Sequence, residues 1–113
     1  MNDLYVIKKD NRRELFDREK LRRGITRACE KRPISSDTIE RIVSDIEAKL
    51  RASMVTEVKS SRIGQMVMSR LMRLDPVAYI RFASVYKEFD DIDAFEKALQ
   101  TLKKRKSKKR KRR

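Results

Sequence analysis

Histidine is absent from this sequence, and cysteine and glycine are rare. The chain has 113 residues with no His, one Cys and two Gly. Without histidine, the commonest general base and a frequent metal ligand are missing. The lone Cys29 provides neither an internal disulfide nor a paired-cysteine zinc knuckle. Two glycines do not supply the glycine-rich phosphate loop of Walker or Rossmann motifs, so any nucleotide site here needs another design.

Long apolar runs are also absent. No stretch approaches the ~20 apolar residues of a membrane-spanning helix, and the opening Met1-Asn2-Asp3 does not begin a signal peptide. Together with the single cysteine, this favours a protein of the reducing cytoplasm, without a membrane partner. The length predicts one domain, and the apolar fraction of 39% is sufficient for one modest core.

Positive charge is abundant but unevenly distributed. Lys and Arg total 31 against 17 Asp and Glu, for a formal charge of +14. Ten of these cations lie within residues 103–113, where only Ser107 is uncharged. Residues 1–102 therefore carry 21 basic and 17 acidic groups, a net charge of +4. We predict a folded domain over 1–102 and a disordered basic tail over 103–113, because such a run buries nothing and repels itself.

Hydrophobic periodicity predicts a small sheet packed by about five helices. Two β-prone runs flank Asp10 and Asn11, which tolerate the backbone of a tight hairpin turn, and residues 54–58 suit a third short strand. Pro33 is expected to stop the first helix. The predicted helices begin near five positions: Asp17, Ser35, Ser60, Asp75 and Asp91. The fold class is therefore α+β, with a two- or three-stranded sheet that includes an N-terminal hairpin.

Most of the distinctive apolar residues fit a core. The second helix carries an unbroken apolar stripe, and Cys29 belongs to the stripe of the first. The methionines of the third helix suit either the core or an interface. The aromatic residues of the fourth helix are expected mainly in the core: Tyr79, Phe82, Tyr86 and Phe89. The acidic group Asp90, Asp91 and Asp93 resembles a metal cluster, but acids are favoured at a helix start in any case.

A basic cluster surrounds the predicted hairpin and the start of the first helix. Lys8 and Lys9 are expected on opposite faces of a strand, so only some of these charges can converge. Lys20 lies in the first helical turn, where free N–H groups and the helix dipole favour an anion. Glu14 and Asp17 can accept hydrogen bonds from a ribose hydroxyl or an adenine amine. A polyphosphate site is physically sensible here, although a plain solvated face also explains such a charge run.

The order of residues in this region resembles the opening of the ATP-cone family of nucleotide-sensing domains. The resemblance rests on Val6-Ile7-Lys8-Lys9-Asp10-Asn11, Glu14, Phe16-Asp17, Lys20-Leu21 and Ile25, and it extends through Ala28–Pro33 and Ile39–Val43. The string at 81–86, Arg-Phe-Ala-Ser-Val-Tyr, is similar to the cone of the NrdR family, repressors of ribonucleotide reductase genes. The resemblance covers about residues 4–99.

The resemblance implies a module that binds ATP or dATP, with or without Mg²⁺, does not hydrolyse it and changes oligomeric state. Val6 would pack against the base, and Glu14 and Asp17 would bond base or sugar. Lys8, Lys9 and Lys20 would meet phosphates. Ser60 matches a small hydroxyl residue near the ligand, although an ordinary helix cap explains it equally well. Asn11 replaces the glycine usual in these cones.

A complete repressor of this kind reads DNA with a four-cysteine zinc ribbon, and no zinc site is expected in this chain. Either this is an isolated cone, or DNA contact has moved to the tail, whose cations could neutralise several phosphates. The tail could equally be a solvated extension, and an anionic membrane is disfavoured because no lipid anchor accompanies the charges. The candidate nucleic-acid-binding residues are Lys103, Lys104, Arg105, Lys106, Lys108, Lys109 and Arg110.

Two functions of different classes follow. The first is a regulatory nucleotide-binding module that controls self-association and transcription of ribonucleotide reductase genes. The second is a constitutive nucleic-acid-binding protein that acts through its tail and uses the cone as a scaffold. Either would place the protein in the cytoplasm, at the nucleoid if it binds DNA. An enzyme is not expected, because no acid–base pair or phosphate loop offers a mechanism.

Overall fold

A three-stranded mixed sheet forms the N-terminal part of the fold. The computed structural model describes residues 3–86 and, beyond them, residues 96, 97, 99–101, 103 and 104. The strands are β1 (Tyr5–Ile7), β2 (Arg13–Leu15) and β3 (Glu57–Lys59), in the order β2-β1-β3. Strand β1 pairs antiparallel with β2, with Val6 opposite Glu14, and parallel with β3, with Val6 opposite Val58. The predicted hairpin is confirmed, and the third strand joins its open edge.

Four helices follow the hairpin along the chain, with β3 between the second and the third. They are α1 (Arg18–Ala28), α2 (Ser36–Ala52), α3 (Ser60–Leu74) and α4 (Pro76–Tyr86). The described residues from 96 to 101 are also helical, in agreement with the fifth predicted helix, and Lys103 and Lys104, which were predicted to begin the tail, are helical as well. The α+β class, with a three-stranded sheet and helices, is confirmed. Phe89 and the acidic group at 90–93 lie outside the described residues.

The core lies where the apolar stripes of the four helices meet. The predicted stripe of α2 is buried in full: Ile39, Ile42, Val43, Ile46 and Leu50. Helix α4 contributes Tyr79, Phe82 and Ala83, which are buried as predicted. Tyr86 is only half-buried and packs on the edge of this core. Burial raises the pKa of the Cys29 thiol and of the Tyr79 hydroxyl, so both stay neutral near pH 7.

Side-chain caps set the start of three helices. The carboxylate of Asp17 accepts from the Lys20 N–H at 3.2 Å, and the Ser35 hydroxyl accepts from Thr38 N–H at 3.1 Å. The buried Asp75 accepts from the N–H groups of Val77 and Ala78, both at 3.0 Å. These caps were predicted from the sequence, and each satisfies helix N–H groups that have no partner within the helix.

Three predicted boundaries were displaced by a few residues. Helix α1 ends at Ala28, before Pro33, because the chain turns there and Lys31 takes a φ of 59°. Strand β3 occupies 57–59 instead of 54–58, since its register is set by pairing with β1. Ser60 is the first residue of α3, whose cap position is Lys59 without a side-chain hydrogen bond. None of the helices among the described residues is long and apolar enough to cross a membrane.

Candidate nucleotide-binding site

The hairpin turn holds its basic residues in a fixed arrangement. Lys8 N–H donates to the Arg12 carbonyl at 2.8 Å, and Asn11 N–H donates to the Lys8 carbonyl at 2.9 Å. Asn11 has a φ of 69°, which is the left-handed backbone conformation. Asparagine tolerates this conformation, as the prediction of a tight turn at this residue assumed. Asp10 accepts from the backbone N–H of Arg12 at 3.1 Å and from its Nε at 2.6 Å. These hydrogen bonds lower the pKa of Asp10.

Lys8 and Lys9 line the same cavity, which corrects the expectation that they lie on opposite faces of a strand. That expectation assumed an extended strand through both residues. Strand β1 ends at Ile7, and the chain turns at Lys9 and Asp10. The alternation of side chains that applies within a strand therefore no longer applies here.

A small apolar slot lies between the hairpin, α1 and α3. Its volume is about 60 Å³. The apolar side chains that line it are Val6, Leu15, Phe16, Leu21, Ile63 and Tyr86. Its polar lining consists of Lys8, Glu14, Asp17, Lys20 and Ser60. Hydrophobic walls with a few polar groups are typical of ligand sites, but such sites measure about 300–1,000 Å³, so this slot can hold only part of a ligand.

A larger basic basin adjoins this slot. Its volume is about 770 Å³, and it shares Lys8, Lys20, Ser60 and Tyr86 with the slot. Seven cationic side chains line it: Lys8, Lys9, Arg12, Lys20, Arg23, Arg27 and Arg81. Its one acidic lining residue is Asp10, which is already paired with Arg12 at 2.6 Å. An excess of cations in a concave surface favours a polyanionic ligand.

Lys20 connects the hairpin to the start of α1. Its ammonium lies 3.3 Å from the Glu14 carboxylate on β2, and its backbone N–H donates to Asp17. Both Lys20 and Glu14 remain partly exposed, at 53% and 38% of their side-chain surface, so a ligand can reach them. Lys20 also stands in the first turn of α1, where the helix dipole adds to its charge.

The basic residues of α1 divide between two faces. Lys20, Arg23 and Arg27 line the basin, at a spacing that places them on one side of a helix. Arg18 and Arg22 instead face α2, where both bind the carboxylate of Glu40. The hydrogen bonds from Arg22 and then Arg18 lower the pKa of Glu40 to about 2. The basic cluster predicted from the sequence therefore has two parts. Some of its residues line the basin, and others bind helix α2.

Four cationic residues of the basin were not among those predicted for the ligand: Arg12, Arg23, Arg27 and Arg81. Arg27 follows Lys20 by two helical turns, so the helical period from Lys20 would have identified it. Arg81 belongs to α4, and its Nη1 donates to the carbonyls of Glu30 at 2.6 Å and Ala28 at 3.4 Å. Nothing near Arg81 in the sequence indicates that it faces α1, because the two segments are 51 residues apart.

All seven residues predicted for the nucleotide line one or both of these cavities. Val6, Glu14 and Asp17 line the slot, Lys9 lines the basin, and the others line both: Lys8, Lys20 and Ser60. Ser60 is available to a ligand because its side chain does not cap α3. Within the described residues, no group of three or more acidic or cysteine side chains could hold a metal ion.

Two of the predicted nucleic-acid-binding residues are described. Lys103 and Lys104 are helical and exposed. The others lie outside the described residues: Arg105, Lys106, Lys108, Lys109 and Arg110.

The family comparison agrees with this arrangement. The family model described as the ATP cone domain matches residues 4–92, which is most of the chain and includes every residue of both cavities. The chain belongs to the ATP-cone family. This cone is also 59% identical over 98 residues to a protein from Petrotoga mobilis named transcriptional repressor NrdR, across 87% of this chain and 65% of that protein.

Other relatives of this cone carry the same name. A protein of Pelotomaculum thermopropionicum is 54% identical over 99 residues, across 88% of this chain and 60% of its own length. One of Fusobacterium nucleatum is 50% identical over 101 residues, across 89% of this chain and 68% of its own. This cone thus spans about two thirds of the length of these relatives. Their names denote regulators, not enzymes.

Proposed function

We propose that this cone is a sensor that binds adenine nucleotides without hydrolysing them. The observation that supports this most strongly is that the seven residues predicted for the ligand line an apolar slot and an adjoining basic basin. An adenine nucleotide has the same division, with a flat apolar base at one end and a polyanion at the other. A ligand of this kind would therefore match both cavities at once.

In this proposal, the edge of the base enters the slot, and the rest of the nucleotide, with its phosphates, lies in the adjoining basin. Val6 packs against the base, while Glu14 and Asp17 accept hydrogen bonds from the base amine or the ribose hydroxyls. Lys8, Lys9 and Lys20 bind the phosphates as charge-assisted donors. The Glu14–Lys20 distance of 3.3 Å allows one side chain to bind sugar or base while the other binds phosphate. Mg²⁺, where present, accompanies the phosphates.

The regulatory part of the proposal follows from the relatives. Since those proteins are named transcriptional repressors, we infer that this cone serves repression of ribonucleotide reductase genes in response to ATP and dATP. The nucleotide would act by changing how copies of the chain associate. It can do so only if its affinity differs between the assemblies.

Isothermal titration calorimetry with ATP and with dATP tests the binding step. We expect micromolar dissociation constants for the unaltered chain. Lys20→Ala should weaken binding about 10-fold or more, because a hydrogen bond to a charged group contributes about 1.5–3 kcal/mol. Arg41→Ala is the matched control, since Arg41 is an exposed cation of α2 that lines neither cavity. Absence of heat with both nucleotides would refute the proposal.

A second function, constitutive binding of nucleic acid, is favoured by one specific observation. The 10 cations at 103–113 give the chain most of its net charge of +14. In this alternative the tail binds DNA or RNA through phosphates, independently of the nucleotide. Deletion of residues 103–113 tests this alternative.

A further inference from the structure

A second cavity, separate from the nucleotide-binding site, opens between α2 and α3. Its volume is about 770 Å³, and it shares no lining residue with the slot or the basin. Met66, Met68 and Met72 supply much of its apolar lining. Met66 and Met72 are half-buried, so their thioethers reach the surface of this methionine groove. Methionine side chains adapt their shape readily, and such surfaces are typical of sites that bind an apolar helix or peptide.

The methionine groove is also positively charged. Its lining includes four cations, Lys49, Arg62, Arg70 and Arg73, and one acid, Asp45. Asp45 is paired with Arg70 at 2.8 Å. Within residues 3–86, no carboxylate lies in ion-pair distance of the other three cations. An occupant of the groove should therefore combine apolar side chains with negative charge, because complementary charge guides and orients association.

The chain itself contains one segment with this composition. Residues 88–99, here termed the acidic segment, hold five acids and one cation, for a net charge of −4. Its apolar residues are Phe89, Ile92, Phe95 and Leu99, at the spacing of one helix face. The basic tail that follows would be repelled by the same groove. Among the segments of this sequence, the acidic segment therefore fits the groove best.

We propose that the methionine groove is a self-association surface, in which each copy of the chain receives the acidic segment of a second copy. Helix α4 lines the groove near its start, through Tyr79, and its other end, Tyr86, lines the slot and the basin instead. The acidic segment thus starts from a different surface of its own domain, which favours the groove of a neighbour. The expectation that copies of the chain associate rests on the proposed function. The groove and its positive charge are features of the structure and do not depend on nucleotide binding.

A charge exchange between two variants of the full chain tests this proposal. Variant one carries Lys49→Glu and Arg73→Glu in the groove, and variant two carries Asp90→Lys, Asp91→Lys and Asp93→Lys, which reverse the net charge of the acidic segment. Each variant alone places like charges together in every contact, so we expect self-association to weaken about 10-fold or more. In a mixture, each groove meets an acidic segment of opposite charge, and association should return. Sedimentation velocity in the presence of ATP and of dATP measures both.

The controls separate this proposal from its alternatives. Arg41→Glu removes the same charge from α2 at an exposed position outside the groove and should leave association unchanged. Circular dichroism verifies that each variant is folded, and calorimetry verifies that each still binds nucleotide. If the mixture stays dissociated, the segment does not act between copies, and the proposal is wrong. If the unaltered chain binds no nucleotide but the charge exchange succeeds, only the nucleotide-sensing proposal fails.

Discussion

Tyr86 is the residue on which both glycines of the chain converge. A Cβ at Gly24 would lie 3.4 Å from the Tyr86 hydroxyl, and one at Gly64 would lie 3.5 Å from its Cδ1. Neither glycine has a positive φ, so backbone conformation does not explain them. Tyr86 also stacks on Phe82, with ring centroids 4.2 Å apart. Both distances are ordinary van der Waals contacts, so an alanine at either position would touch the ring without displacing it. The Tyr86 ring packs against the core on one side and lines the slot and the basin.

Asp75 is a buried carboxylate at the core that accepts several hydrogen bonds. It is 5% exposed, caps α4 and binds the Nε of Arg32 at 2.9 Å and 3.1 Å. Burial alone would raise the pKa of this carboxyl, but hydrogen bonds from Ala78 N–H and Arg32 outweigh it, and the pKa is lowered. We expect Asp75→Ala to reduce the free energy of unfolding by about 2–3 kcal/mol, since both a cap and a buried ion pair are lost.

Urea titration near neutral pH measures this change, and Asp37→Ala is the control because Asp37 is exposed in the first turn of α2. The folded-state pKa of Asp75 is lower than the usual value of 3.8. Its contribution is therefore complete above that pH and disappears as the pH falls through the lower value. An Asp75→Ala protein as stable as the unaltered chain at pH 7 would contradict this account.

At the scale of elements, helix α1 presents positively charged side chains on two of its faces. One face presents Lys20, Arg23 and Arg27 to the basin, and the other fastens the helix to α2. Arg18 binds both Glu40 and Glu47, and Arg22 binds Glu40 in a forked arrangement through Nε at 2.8 Å and Nη2 at 2.9 Å. This contact sets the position of α1, and with it the place at which Lys20 lines the basin.

Glu40→Gln should therefore destabilise the fold near neutral pH. Ionised Glu40 has a folded pKa of about 2, against a usual value of 4.5. Its contribution is present above about pH 4.5 and is lost as the pH falls toward 2. We expect a lower melting temperature for the variant at pH 7 and a difference that shrinks through that window. Differential scanning calorimetry measures it, with Glu30→Gln as the exposed control.

A constant melting-temperature difference between the Glu40→Gln variant and the unaltered chain from pH 7 to 2 would contradict the assignment. Glu40 is partly exposed, with 45% of its side chain accessible, so the effect should also decrease as salt is added.

Elements with strong local signals could be predicted from the sequence, and those set by distant pairing could not. The stripe of α2 and the caps Asp17, Ser35 and Asp75 depend on neighbouring residues, and the structure has them as predicted. The limits of β3 depend on β1, more than 50 residues away, and were displaced. Arg81 reaches the site by the packing of α4 on α1, which no local pattern encodes.

At the scale of the whole molecule, the candidate nucleotide site is an assembly of distant segments. Its lining comes from the hairpin, α1, the start of α3 and the end of α4. The residue types and the ligand could be inferred from the order of Val6, Lys8, Glu14 and Lys20. The division into slot and basin could not, because it depends on how the helices stack beside the sheet.

Deleting residues 103–113 should abolish binding to duplex DNA if the tail carries it. The unaltered chain should lose affinity steeply with salt, because each neutralised phosphate releases condensed counterions with a slope of about −0.9 per contact. Fluorescence anisotropy from about 50 to 200 mM salt measures both effects. Equal binding by the truncated chain would show that the tail is not the nucleic-acid surface.

The same titrations separate the two proposed functions. If ATP and dATP leave DNA affinity unchanged while the tail is essential, the protein is a constitutive nucleic-acid binder. If either nucleotide changes the affinity of the full chain and Lys20→Ala removes that change, the cone controls the tail. Arg41→Ala again serves as the matched control for the loss of one positive charge.

The order of strands has a consequence for the growing polypeptide on the ribosome. Strand β1 is the central strand of the sheet, yet its second neighbour, β3, begins only at Glu57. The nucleotide-binding cavities also need Tyr86, near the end of the matched domain. A nascent chain that has exposed only the hairpin and α1 thus holds an unfinished sheet and an open site. Under the proposed function, nucleotide cannot stabilise the domain until synthesis has passed Tyr86, so ATP would act on the finished molecule and would not guide its early folding.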